Sequence, residues 1–350
     1  MKPKLEWLLV FVPIAVVLEL VHANEIAIFV VAGLAILPLA GLMGHATEEL
    51  AAHTSSQLGG LLNATFGNAA ELIIAFFLLL DGQILIVKAS LTGSIIGNSL
   101  LVLGLSFLVG GLRSGKAEQT FSRAATEMHS GSLVIAVTAL LMPALFALTP
   151  EANFFRKEAV SVGVSVVLML TYVGSLVFSL VTHKTLFGGA GSEHAHEAKW
   201  TKKKALGVLF GATAFVALMS EFLVGALGHT VEELGVSELF VGLIVVPIIG
   251  NAAEHSSAIL LAAKDKMDVS IEIAVGSSVQ IALFVTPVLV FLSLLVGNPM
   301  DLIFSGFEIA AVAFSTAILG FIALNGRSNW FEGVQLLAAY IIMAISFYFL

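Results

Sequence analysis

Two identical pentapeptides, Gly67-Asn68-Ala69-Ala70-Glu71 and Gly250-Asn251-Ala252-Ala253-Glu254, each lie inside a long apolar run. Placing a carboxylate in such a run costs about 2.5–3.5 kcal/mol on membrane-insertion scales, so each glutamate is a functional candidate by default. Two of them in matching contexts point to one site assembled from two halves of the chain.

The runs set the fold class. Only 11% of the residues are charged and 58% are hydrophobic, whereas a soluble domain carries roughly 25% charged residues. A soluble globule is therefore excluded. A spanning helix needs about 20 apolar residues, and apolar runs fall near 6–22, 26–47, 58–80, 86–111, 131–149, 159–182, 204–228, 239–263, 270–297, 302–324 and 329–350. A barrel would alternate polar and apolar residues, and stretches such as 100–111 and 160–181 do not. The expectation is an all-α integral membrane protein with eleven transmembrane helices. The first run follows Lys2 and Lys4 as a signal peptide would. Glu19 interrupts its end and no small-residue cleavage site follows, so it reads as a retained first helix. The absence of cysteine excludes disulfides and thiolate metal sites.

With the N-terminus cytoplasmic, only Lys88, Arg156 and Lys157 of the 16 basic residues fall in outer loops. The positive-inside rule then gives the N-terminus inside and the C-terminus outside.

The pentapeptide is not an isolated coincidence. Gly44-His45-Ala46-Thr47-Glu48-Glu49-Leu50 resembles Gly228-His229-Thr230-Val231-Glu232-Glu233-Leu234, at 23 and 22 residues before the respective motif glycines. Gly93-Ser94 and Gly276-Ser277 each follow their motif glycine by 26 residues. Three echoes in one order indicate duplication. The motifs fall on the third and eighth helices, an odd number apart, so the copies run in opposite senses across the membrane. Inverted repeats of this kind are typical of secondary transporters, with the ion site at the repeat interface. The expected layout is an extra first helix (1–24), a first repeat of helices two to six (25–182), a cytoplasmic linker (183–203) and a second repeat of helices seven to eleven (204–350). The linker is either a plain connector or a metal or pH sensor built from Glu193, His194, His196 and Glu197.

On a helix, Asn68 and Glu71 share a face, as do Asn251 and Glu254. Gly67, Gly250 and Pro247 weaken the helices there, and a break would free carbonyl oxygens to coordinate a cation. Two carboxylates, two amides and several carbonyls make an all-oxygen shell suited to a hard divalent ion such as Ca²⁺. Without the ion, the paired carboxylates repel each other and lack solvation, and protons are the natural replacement. The residues thus imply a proton-coupled divalent cation antiporter in which Glu71 and Glu254 carry Ca²⁺ and protons in turn. Ser94, Asn98, Ser277 and Gln280 are expected to complete or orient the shell, or to bond helix to helix. His255 is a candidate proton relay. Glu48, Glu49, Glu232 and Glu233 are candidates for gating ends that attract cations to each mouth, or else solvated helix ends. Glu221 reads as a rival buried acid without a repeat counterpart. His45 with Glu49, and His229 with Glu233, have the spacing of a metal pair. The His-Glu-x-x-His signature of a metalloprotease is absent, and a hydrolase is disfavoured. A passive cation channel is the competing reading from another class.

The stretches Gly67-Asn68-Ala69-Ala70-Glu71-Leu72-Ile73 and Gly250-Asn251-Ala252-Ala253-Glu254-His255 closely resemble the signature repeats of the calcium/proton exchangers, the cation/proton exchanger family of the calcium/cation antiporter superfamily. The resemblance covers nearly the whole chain. It implies Ca²⁺ export driven by inward protons, with the ion shared between Glu71 and Glu254. It also implies help from Asn68, Asn251, the carbonyls of Gly67 and Gly250, Ser94, Asn98 and Gln280. It implies that helices two and seven slide to alternate access. The main alternative on this scaffold is a Na⁺/Ca²⁺ antiporter, whose repeats look richer in Ser and Thr and carry a further acid where Gln280 stands. The linker departs from relatives that carry a pronounced acidic stretch. Ca²⁺ and H⁺ are then substrates, no cofactor is called for, and the partners are the bilayer and at most further copies of the chain, with no nucleic acid. The compact loops fit a prokaryotic plasma membrane.

Overall fold

The computed structural model describes residues 5–113, 115–183 and 198–350. Nearly all of this is helical. The only strands among the described residues are Gln119–Thr120 and Arg327–Ser328, paired antiparallel with Gln119 opposite Ser328. Sequence reading misses this clamp, because two residues carry no alternation to detect.

Seven helices are long and apolar enough to cross a bilayer singly: Glu25–Ala51, Ile84–Arg113, Arg123–Phe146, Phe154–Thr182, Lys202–Gly225, Met267–Val296 and Trp330–Tyr348. Shorter apolar helices include Trp7–Leu20, Ala69–Leu80 and Gly306–Ile322, and the pair Leu227–Leu234 and Glu238–Gly250 is bent by 119°. Hydrocarbon offers no partner for a stray backbone group, and several helix starts are capped by side chains. Asn24 accepts from Ala27 N and Asn153 from Arg156 N. Ser305 with Glu308, and Asn329 with Glu332, form capping boxes.

The surface is as informative as the core. Phe210, Leu170, Leu295 and Ile342 stand well exposed, an apolar coat that suits lipid rather than water. Inside, Glu25–Ala51 packs along Lys202–Gly225. Backbones meet where side chains are absent, as expected when close packing must replace the hydrophobic effect. A Cβ on Gly93 would collide with the Leu243 carbonyl, and one on Gly333 would lie 2.5 Å from Leu108 N. The first of these contacts presses the helix that carries Ser94 against the approach to the second pentapeptide.

Candidate ion-binding site

Both pentapeptides sit on helix breaks. Ser56–Phe66 stops at Gly67, and Ala69–Leu80 restarts after Asn68, whose φ of −95° and ψ of 17° are not helical. Val246–Gly250 stops at Asn251, with φ −101° and ψ 5°, and Ala252–Ala262 follows. Pro247 has no N–H for the preceding turn, and a π-helical turn, Val241–Val245, leads into it. Each asparagine is thereby the N-cap of a half-helix. Glu71 and Glu254 fall in first turns, where free N–H groups and the helix dipole favour negative charge.

The two motifs interlock. Glu71 Oε1 accepts from Ser94 Oγ at 2.5 Å and from Asn251 Nδ2. Asn251 also reaches Ser94 Oγ at 3.2 Å and the Pro247 carbonyl at 3.1 Å. Asn68 Nδ2 donates to Gln280 Oε1 at 2.5 Å, while its Oδ1 accepts from Ser277 Oγ at 2.9 Å. Asn98 Nδ2 donates to Ser277 Oγ at 3.1 Å, and its Oδ1 accepts from His255 Nε2 at 2.9 Å. Asn68 and Asn251 are each only 2% exposed, so these partners replace water. Gly250 lies against Glu71, and a Cβ on Gly67 would lie 3.4 Å from Glu254 Oε1. Each glutamate leans on the other motif's glycine.

One oxygen of each pair, Glu71 Oε2 and Glu254 Oε2, is buried and has no hydrogen-bond partner. Such an atom is costly unless a cation or proton meets it. The available donors are carboxylate, amide, hydroxyl and carbonyl oxygens, the set preferred by hard cations. Among the described residues no group of three or more His, Cys, Asp or Glu could hold a metal on its own.

Glu254 lines a cavity of about 560 Å³ that also touches Gly67, Gly250, Ser277 and Gln280 and reaches His45 and Glu48. Glu71 instead borders a void of about 10 Å³ with Ser90, Ser94 and Pro247, room for about one water.

The other sequence candidates are distributed differently. Glu48 is exposed on the cavity wall. Glu49 is fully buried and accepts from Trp200 N at 2.8 Å. It therefore fastens the chain before the seventh apolar run to the end of Glu25–Ala51, and does not face a mouth. His45 packs on the Trp200 ring at 4.7 Å between centroids, which breaks up the supposed His45–Glu49 metal pair. Glu232 and Glu233 are exposed on the short helix Leu227–Leu234. Glu221 is exposed near the end of Lys202–Gly225. Glu193, His194, His196 and Glu197 lie outside the described residues. Sequence reading passes over Glu272, which lines the cavity and pairs with His129 at 3.0 Å. It stands near the start of the run 270–297, where an acid reads as a solvated helix end.

The family model described as sodium/calcium exchanger protein matches residues 24–181 and 204–349, more than half of the chain. The chain belongs to that family. Within it the exchanger stands among the calcium/proton exchangers of the calcium/cation antiporter superfamily. It is 46% identical to the Ca(2+)/H(+) antiporter of Aphanothece halophytica, over 98% of this chain and 95% of that one. It is also 46% identical to the Ca(2+)/H(+) antiporter ChaA of Bacillus subtilis, over 97% of each. Among solved structures, native YfkE superposes with a TM-score of 0.87 at 44% identity, covering 99% of this chain and all of that one. The crystal structure of the H+/Ca2+ exchanger CAX matches with a TM-score of 0.74 at 12% identity, over 99% of this chain and 91% of that one, a likeness of fold alone. The exchanger is thus a multi-pass membrane transporter, not an enzyme.

Proposed function

We propose that the exchanger moves Ca²⁺ out of the cytoplasm in exchange for H⁺, with Glu71 and Glu254 binding the ion and protons in turn. One observation carries this reading. Two carboxylates on two broken helices each lie against the other motif's glycine, and each has one buried oxygen without a hydrogen-bond partner among the described residues. A divalent ion neutralises both at once, and two protons do the same, so the site is neutral in either load. The direct shell is Glu71, Glu254 and the carbonyls exposed by the breaks at Gly67 and Gly250. Asn68 and Asn251 orient it, and Ser94, Asn98, Ser277, Gln280 and His255 support it from behind.

The architecture behind this is eleven spans: a first helix (1–24), inverted repeats over 25–182 and 204–350, and a linker over 183–203. The two matched stretches of the family model, 24–181 and 204–349, support that division. So do the like-placed breaks after Phe66 and at Asn251. The cavity at Glu254 opens toward the end where Glu25–Ala51 finishes and Met267–Gln280 begins. With the N-terminus inside and the C-terminus outside a prokaryotic plasma membrane, this is the cytoplasmic face, and the conformation is inward-open. Alternating access then exposes Glu71 to the other side.

Sodium coupling is the weaker reading. Gln280, where a further acid would be looked for, is neutral and engaged by Asn68. The test is uptake of radiolabelled Ca²⁺ into everted vesicles under an imposed pH gradient, in sodium-free medium. Wild type accumulates Ca²⁺ uphill, an ionophore that collapses the gradient stops it, and Glu71→Gln and Glu254→Gln each abolish it while reaching the membrane normally. Uptake by either variant at the wild-type rate removes the proposal.

A further inference from the structure

Four acids outside the binding network pair with a lysine or arginine among the described residues. Asp301 pairs with Lys88, Asp265 with Lys116, Glu127 with Arg123 and Glu118 with Arg327. Glu272 is different. Its side chain is about half exposed (52%) on the wall of the cavity that holds Glu254, and its ion-pair partner among the described residues is a buried histidine, His129.

We propose that Glu272 is a vestibular carboxylate that gathers the divalent cation on its way to Glu254, held in place by His129. The proposal rests on the antiport reading above and adds an outer station to the same route. Geometry comes first. On Met267–Gln280, Glu272, Gly276 and Gln280 follow one another at four-residue steps and so line one face of the helix. Glu272 stands roughly 12 Å along the axis from Gln280, eight residues at about 1.5 Å each. Gly276, between them, lies beside the pair: a Cβ there would be in ordinary contact with Glu272 Oε1 at 3.6 Å and His129 Cε1 at 4.0 Å.

Charge comes second. Glu272 Oε2 lies 3.0 Å from His129 Nε2. An ionised carboxylate can only accept, so Nε2 carries the hydrogen and donates. The hydrogen bond fixes the direction of the carboxylate, which stands on the cavity wall. A negative wall in a cleft with apolar sides concentrates cations at its mouth. The competing account is purely mechanical, a tie between Arg123–Phe146 and Met267–Gln280. The two accounts separate on one substitution: Glu272→Gln keeps an oxygen to accept from Nε2 and removes only the charge.

The experiment is initial-rate Ca²⁺ uptake into everted vesicles at one fixed pH of about 8. The KM for Ca²⁺ in Glu272→Gln is expected to rise roughly three- to tenfold, the effect of one charge on a nearby divalent ion in a wet vestibule. Vmax stays within about twofold of wild type, because the transported ion sits elsewhere. The KM difference shrinks at high ionic strength, and Glu272→Asp keeps the wild-type KM. In right-side-out vesicles, loaded from the opposite face, Gln and wild type share one KM. Glu272→Ser removes charge and hydrogen bond together, and raises KM as Gln does. It serves if the Gln protein accumulates poorly. An unchanged KM on the cavity side, an equal rise from both sides, or a fall in Vmax alone overturns the proposal. Wild-type protein that fails to accumulate Ca²⁺ would instead strike at the antiport reading.

Discussion

Gly250 sits against Glu71 without room for a methyl group: a Cβ there would lie 2.9 Å from Glu71 Cγ and 3.7 Å from its Cα. Ser94 and Asn251 donate to the carboxylate, so moving the side chain aside would break that network. Gly250→Ala is expected to cost about 1–3 kcal/mol through overpacking, and to displace an oxygen on which ion geometry depends. Transport should fall by at least about tenfold, the equivalent of 1.4 kcal/mol at the site. Gly211→Ala is the control, since nothing lies within 4 Å of a Cβ there. Vesicle uptake on both variants decides it. A Gly250→Ala protein with wild-type kinetics would mean that this contact does not position Glu71.

Asn251→Ala and Ser94→Ala both remove donors to Glu71 Oε1. Hydrogen bonds to a charged group contribute about 1.5–3 kcal/mol each. Each substitution should therefore weaken Ca²⁺ binding roughly ten- to hundredfold, with Asn251→Ala the more severe because Asn251 also ties Ser94 and the Pro247 carbonyl together. The two residues share one acceptor and touch each other, so their effects should not add. A double variant whose loss equals the sum of the singles would argue against a common network.

Much of this site is legible in one sequence. The repeated Gly-Asn-Ala-Ala-Glu marks the acids, and the weak helix formers at Gly67 and Gly250 foretell the breaks. What the letters do not carry is the crossing. Helix periodicity places Asn251 beside its own Glu254, yet its amide reaches Glu71 of the other half. That choice follows from how closely two backbones approach, which glycine permits but does not specify. Glu48 and Glu49 make the same point. They are adjacent letters with one charge, but a helix turns about 100° between them, and one faces the cavity while the other faces Trp200. Glu272 is hidden for another reason. It falls near the start of an apolar run, where an acid reads as a solvated end until His129 and the cavity are seen around it.

The loops on the cavity side predict a small acid sensitivity. Asp265 has a φ of 60° and links the connection after Ala252–Ala262 to the 115–122 segment, where Lys116 and Gln119 bond it. The hydrogen bond from Lys116, then that from Gln119, pulls its carboxyl below the usual aspartate range. The stabilisation is complete above an unfolded-state pKa of about 3.9, and it is lost as pH falls through the lower folded value. The pair is solvent-exposed, so Asp265→Asn should cost under about 1 kcal/mol. Melting curves in detergent should show the two proteins converging at the acid end. A gap that widens below about pH 4 would contradict the sign derived from linkage.

Glu48 and Glu49 should part company in the same assays. Glu49 is fully buried against the Trp200 N–H, and His53 Nε2 donates to the Trp200 carbonyl at 2.7 Å. Glu49→Ala strands that N–H and should lower stability by about 1–3 kcal/mol. Glu49→Gln keeps an acceptor and should retain more of it. Glu48→Gln, at an exposed position on the cavity wall, should alter stability by no more than about 0.5 kcal/mol. Its effect should fall on the KM for Ca²⁺ from the cavity side alone, since only a charge at the mouth has been removed. Thermal melts and sided uptake on the three proteins separate a fastening acid from a cation-attracting one. Equal melting losses for Glu48→Gln and Glu49→Ala would show that burial does not divide their roles.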